Sequence, residues 1–107
     1  MVKQMTPQSI ELVAECFRAL GEPMRLRILV ALREGEHNVT SLADMLATSQ
    51  ANISKHLQIL TSCGFLRRRK DGLNVLYSIA DPGIFTLCET VCSNIGKKLG
   101  SQERLMS

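Results

Sequence analysis

Apolar positions along this chain recur at helical spacing up to Gly64 and then switch to an extended pattern. In the stretch Ser49–Gly64, Ile53, Leu57 and Leu60 share one face at i, i+4 and i+7, and Gln50, Asn52, Ser54, Lys55 and Gln58 occupy the other. Ser49 suits an N-cap, and Gly64 stands where a left-handed C-terminal cap is wanted. Upstream, the run from Ser9 to Leu20 carries two apolar stripes, Ile10, Val13, Phe17 and Leu20 on one and Leu12, Cys16 and Ala19 on the other. A short helix that is apolar on two sides needs cover on both, one from its own domain and one from elsewhere, and a partner subunit is the economical source.

The remaining elements follow in order. Gly21 ends the first helix, and Glu22-Pro23 opens a second that runs to about Glu34, with Leu26, Leu29, Val30 and Leu32 expected inside and Arg25, Arg27 and Arg33 outside. After a Glu36-His37-Asn38 loop, Thr40 or Ser41 is expected to cap a third short helix carrying Leu42, Ala43 and Leu46 inward. Two short helices, a tight joint and a second helix with a polar face make a helix-turn-helix. Beyond Gly64, Phe65 to Lys70 and Leu73 to Ile79 read as extended runs around Asp71-Gly72, a hairpin signal. Asp81-Pro82-Gly83 then turns into a last helix, from Ile84 to about Leu99. The fold class is therefore mainly α with a small β-hairpin, in the order α-α-α-α-β-β-α. It forms a single domain over residues 1–107, with 1–8 and 100–107 expected as flexible tails.

Charge sharpens this picture. The chain of 107 residues carries a net charge of +3. Lys55, Arg67, Arg68, Arg69 and Lys70 against Asp71 give the stretch Ser49–Tyr77 +4, which leaves −1 for everything else. A basic middle on a nearly neutral body is the footprint of a phosphate-contacting surface, with the cationic hairpin as a wing beside the polar helix. Gln50, Ala51, Asn52, Ser54, Lys55 and His56 become candidate readers of base edges, and Arg67, Arg68, Arg69 and Lys70 candidate phosphate contacts. No apolar run reaches the roughly 18 residues of a membrane span, and no signal-peptide pattern opens the chain, so a cytoplasmic location without membrane partners is expected. Four cysteines in that compartment are expected to be reduced thiols. No nucleophile-base-acid set, phosphate-cradling glycine loop or catalytic carboxylate pair stands out, so no enzymatic activity is expected.

Three segments taken together resemble the ArsR/SmtB (arsenical-resistance regulator) family of winged helix-turn-helix transcriptional repressors. They are Ala19-Leu20-Gly21-Glu22-Pro23-Met24-Arg25-Leu26-Arg27-Ile28-Leu29, Ser49-Gln50-Ala51-Asn52-Ile53-Ser54-Lys55-His56-Leu57, and Gly64-Phe65-Leu66 with the Arg-rich hairpin ending in Tyr77-Ser78. The resemblance covers about residues 9–99. It implies a homodimer joined through first and last helices, a palindromic double-stranded operator, and release of that DNA when an inducer binds or modifies the dimer.

The resemblance also shows where this chain departs from its relatives. The Cys-x-Cys that binds soft metals in the third helix of some members is matched here by Asn38 and Thr40. Of the zinc, cobalt and nickel ligands that other members carry in the last helix, only Asp81 has a counterpart; Gly83, Asn94 and Lys97 stand at the other places. The cysteines remain. Cys88 and Cys92 are i, i+4 neighbours, and the resemblance implies that Cys16 on the first helix lies near them. Three such thiolates suit arsenic or antimony in the trivalent state, cadmium or lead, as inducer rather than required cofactor. The same sulfurs also suit oxidation or persulfidation, with Cys16 joined to Cys88 or Cys92. Packing as small hydrophobes is the bland alternative, and the expected role of Cys63. A reading from another class is a thiol redox or metal-carrying protein that uses Cys88 and Cys92 without binding DNA. His37, in a loop, is expected to face solvent.

Overall fold

A computed structural model describes residues 5–99; of the tails expected at 1–8 and 100–107, residues 1–4 and 100–107 lie outside the described residues, and 7–8 belong to the first helix. Helix α1 spans Pro7–Leu20, α2 Pro23–Ala31, α3 Val39–Met45, α4 Gln50–Ser62 and α5 Gly83–Leu99. Strands β1 (Leu66–Asp71) and β2 (Asn74–Ile79) lie between α4 and α5 and pair antiparallel, from Leu66 opposite Ile79 to Asp71 opposite Asn74. The order is the one read from the sequence. The fully buried centre consists of Ile28, Leu29, Leu32, Leu42, Ile53, Leu57 and Leu60, so the core is shared by α2, α3 and α4. Leu66 and Ile84 close it from the hairpin and from α5.

Several local expectations need correction. Helix α1 starts at Pro7 rather than Ser9, because Thr6 caps it by accepting the Ser9 N–H at 3.1 Å and Pro7 fits a first turn that needs no N–H. On α2, Ile28 rather than Leu26 or Val30 enters the core. At about 100° per residue Ile28, Leu29 and Leu32 share one side, while Leu26 and Val30 sit on another and line a shallow apolar depression with Leu46. The helix ends at Ala31, and Leu32–Glu34 continue as one 3-10 turn. Asn38, not Thr40 or Ser41, caps α3, its side-chain oxygen accepting the Ser41 N–H at 2.8 Å. His37 is half-buried rather than exposed. Its backbone exchanges both hydrogen bonds with Tyr77 of β2, at 3.1 and 2.9 Å, and so fastens the loop before α3 to the hairpin.

The arms contrast with this centre. Helix α1 buries only Ala19 and leaves Ile10, Leu12, Val13 and Phe17 exposed, Leu12 at 66% and Phe17 at 53%. Helix α5 leaves Val91, Ile95 and Leu99 exposed. The radius of gyration of 15.4 Å exceeds the roughly 13 Å of a compact domain of this length, as expected when terminal helices stand away from the core.

Candidate nucleic-acid interface

Helix α4 is built to show one side and bury the other. Ser49 accepts the Asn52 N–H at 3.1 Å, which satisfies an otherwise unpaired first-turn donor. At the far end the Phe65 N–H reaches the Leu60 carbonyl and the Gly64 N–H that of Thr61, both at 3.0 Å, a Schellman closure. Gly64, at φ +82°, supplies the left-handed residue that this closure needs. Ile53, Leu57 and Leu60 anchor the buried side, and Gln50, Ala51, Ser54, Lys55 and Gln58 are exposed on the other.

Two candidate readers on this helix do something else. His56 is 6% exposed and packs with the core side. It falls at the edge of the arc that Ile53, Leu57 and Leu60 define, with Nε2 3.9 Å from a Glu22 carboxylate oxygen. Burial pushes its pKa down; the Glu22 charge opposes that shift, and Arg25 and Lys55 add to it. Its Nδ1 has no partner among the described residues. Asn52 is half-buried and donates its side-chain amide to Thr48 Oγ1 at 3.1 Å. It thereby braces the turn between α3 and α4, where Ala47 adopts φ +54°.

The hairpin divides its cations between two faces. The loop is Gly72-Leu73, because Asp71 and Asn74 are already paired, and Gly72 takes φ +64° at the first central position as a II′ turn requires. This register puts Leu66, Arg68 and Lys70 on one face and Arg67 and Arg69 on the other. Arg68 and Tyr77, directly paired across the strands, line a groove with Ser54, Gln58, Thr61 and Ser62 of α4. Helix and wing thus share a polar, cationic concavity. Arg69 instead grips Glu36, Nε to Oε2 at 2.7 Å and Nη2 to Oε1 at 2.8 Å. That bond holds the Glu36 carboxyl below, and the Arg69 guanidinium above, their ordinary values. Arg67 donates to the Ala80 carbonyl at 3.5 Å. Gln58 was read on the polar face of this helix, but Thr61 and Ser62 were not among the expected site residues, although their spacing from Ser54 could have revealed them; Tyr77 enters only through the strand register.

The thiols are arranged differently from the expected trio. Cys16 lies beside Cys63, its Sγ 3.9 Å from the Cys63 carbonyl oxygen. Burial pushes the Cys63 thiol up to about 11, and the neighbouring Cys16 thiol adds to that rise. Cys88 is raised by burial, then by Cys92 and Glu89. Within one protomer no three His, Cys, Asp or Glu side chains among the described residues come together as a metal site, so Cys16 does not complete a three-sulfur set with Cys88 and Cys92. The reason is the course of α1, which runs past the C-terminal end of α4. At two of the positions compared with the metal sites of other repressors, Asn38 caps α3 and Asp81 Oδ1 accepts the Gly83 N–H at 2.8 Å. No helix among the described residues is long and apolar enough to cross a membrane.

Comparison with known proteins agrees with this geometry. A family model described as "Bacterial regulatory protein, arsR family" matches residues 22–68. A transcriptional repressor SmtB homolog of Synechocystis is 35% identical over 99 residues, 88% of this chain and 75% of that protein. A probable mercury resistance operon repressor of Streptomyces lividans is 36% identical over 74 residues, 69% of this chain; the match spans 59% of that relative's length. A homodimeric winged helix-turn-helix DNA-binding domain from Mycobacterium bovis, described as a possible ArsR-family transcriptional regulator, superposes with a TM-score of 0.74 at 30% identity, covering 87% of this chain and 91% of that one.

Proposed function

This chain belongs to the ArsR/SmtB family of winged helix-turn-helix transcriptional regulators, and we propose that it acts as a homodimeric repressor that gives up a palindromic operator when an inducer binds. The observation that carries the reading is the shared groove: Ser54 and Gln58 on α4 face the same space as Arg68 on the wing. One subunit lays α4 in a major groove, with Gln50, Ala51, Ser54, Lys55 and Gln58 towards the base edges, while Arg68 and Lys70 hold the adjoining phosphates. The exposed apolar faces of α1 and α5 meet their counterparts on a second copy, which covers Leu12, Val13, Phe17, Val91 and Ile95. Its place of work is the cytoplasm, where duplex DNA and reduced thiols coexist. Cys88 and Cys92 remain candidate contacts for a soft inducer, as an adjacent pair.

Two-fold symmetry sets the test. Selection from random duplexes should enrich inverted repeats whose half-sites lie about one helical turn, roughly 34–36 Å, apart. Enrichment of single asymmetric sites, or none, contradicts the dimeric repressor.

A further inference from the structure

Two apolar features are used neither by the groove-reading side nor by the helix faces assigned to the dimer. One is a knob: Leu73, at the tip of the hairpin turn, is the most exposed large apolar side chain among the described residues. The other is a hole. Leu26, Arg27, Val30 and Ala31 of α2 and Leu46 at the end of α3 line a shallow depression of about 360 Å³, whose wall apart from Arg27 is hydrocarbon. We propose that the wing tip of one dimer seats Leu73 in this depression on a neighbouring dimer, so that dimers lying side by side on DNA hold one another.

Two charges identify the occupant. Asp71 stands at the base of the turn that carries the knob, and Arg27 lines the hole. Neither forms an ion pair among the described residues. An apolar side chain beside a carboxylate is poorly matched to phosphates or to the negative potential of a minor groove. The tip of the wing therefore differs in kind from Arg68 and Lys70 behind it. It does match a hydrocarbon depression with a guanidinium in its wall, where Leu73 leaves water and the two charges meet. Every copy of the chain carries both halves, so a second copy supplies the hole for the first one's knob. A dimer has two of each, and the contact can repeat from dimer to dimer.

The contact is small. One leucine and one ion pair bury far less than the roughly 1,000 Å² of a stable interface, so dimers should not chain in dilute solution. On DNA a neighbour is already held at high local concentration, and a weak contact becomes a coupling between adjacent sites. A second dimer should then bind about ten to a hundred times more tightly beside the first. This consequence rests on the repressor reading; the knob-and-hole contact does not.

The test uses the full chain and duplexes carrying one or two copies of the site that selection yields, the two spaced in single-base-pair steps over one helical turn. Gel shifts give the ratio of second-site to first-site affinity. At the best spacing that ratio should be about ten or more, and it should vanish half a turn away, where the wing tip faces the wrong side of the neighbour. Leu73→Ser and Val30→Ser should each abolish it while single-site affinity stays the same. Asp71→Arg or Arg27→Asp should lower the ratio, and the two together should restore it. Cooperativity absent at every spacing, untouched by both serine variants, or not restored by the charge swap overturns the inference. A several-fold loss of single-site affinity with Leu73→Ser puts the tip on DNA and overturns it as well. If selection yields no bound duplex, the repressor reading falls, and light scattering at millimolar protein decides the contact. Association beyond the dimer that both serine variants remove supports it there, and its absence overturns it.

Discussion

Helices α4 and α1 are of similar length, 13 and 14 residues, and both have an apolar face, yet only α4 finishes its packing inside one chain. Ile53, Leu57 and Leu60 of α4 are completely buried, whereas Ile10, Leu12, Val13 and Phe17 of α1 remain in water. The difference separates two jobs. The unit of α2, α3 and α4 is complete and can hold its polar face rigidly towards a ligand. The arms are unfinished surfaces that a second copy completes in the proposed dimer, where they would set the spacing between two reading helices.

If that division is right, substitutions in the two regions should fail in different ways. The largest effect is expected from Phe17→Asp. It should yield monomers by sedimentation while leaving helical circular dichroism intact. Loss of the second half-site should then weaken operator binding by about 10²–10⁴-fold; a variant that stays dimeric with full affinity breaks the assignment of α1. Next, Leu57→Ala should remove about 2–5 kcal/mol of stability in denaturant titration, because the cavity opens in the closed centre rather than at an edge. A loss well under 1 kcal/mol would mean that α4 is not held as described.

A smaller effect is expected from pH. Burial holds His56 below its ordinary 6.5, so the unfolded chain takes up this proton first as pH falls. The contribution of the neutral ring is therefore complete above about pH 6.5 and drains as pH falls towards the lower folded value, where it levels off. Glu22, Arg25 and Lys55 are the charges around it. Thermal melts between about pH 7.5 and 5.5 should show a steeper fall for the native chain than for His56→Gln. Identical slopes would show that the ring is not buried neutral.

The same contrast explains what could be read from the sequence. Helix α4 was legible because all its determinants lie within one short stretch: the apolar period, Ser49 at one end and Gly64 at the other. The exposed stripes of α1 were legible for the same reason, as a helix with more apolar surface than one domain covers. Misplaced features depended on phase or on distant partners. Leu26 and Val30 are as apolar as Leu29, and only the course of α2 across α4 decides which stripe goes in. His56 lies at the margin of a buried arc, where the identity of the residue says little. Arg68 and Arg69 look equivalent in a basic run, but neighbours on a strand point to opposite faces, and the register set by the Gly72-Leu73 turn pairs Arg68 with Tyr77. The meeting of Cys16 with Cys63 follows from the crossing of α1 and α4, which no local pattern encodes.

That separation of Arg68 from Arg69 offers the most direct test of the claim that helix and wing grip DNA from one side. Operator affinity should be measured against salt concentration for the native chain, Arg68→Ala and Arg69→Ala. Each lost phosphate contact removes about 0.9 from the log–log slope per site. Arg68→Ala should therefore flatten the slope by about one unit per subunit engaged, whereas Arg69→Ala, whose guanidinium is already held by Glu36, should leave it nearly unchanged. Equal flattening by both, or flattening by Arg69→Ala alone, would contradict the account.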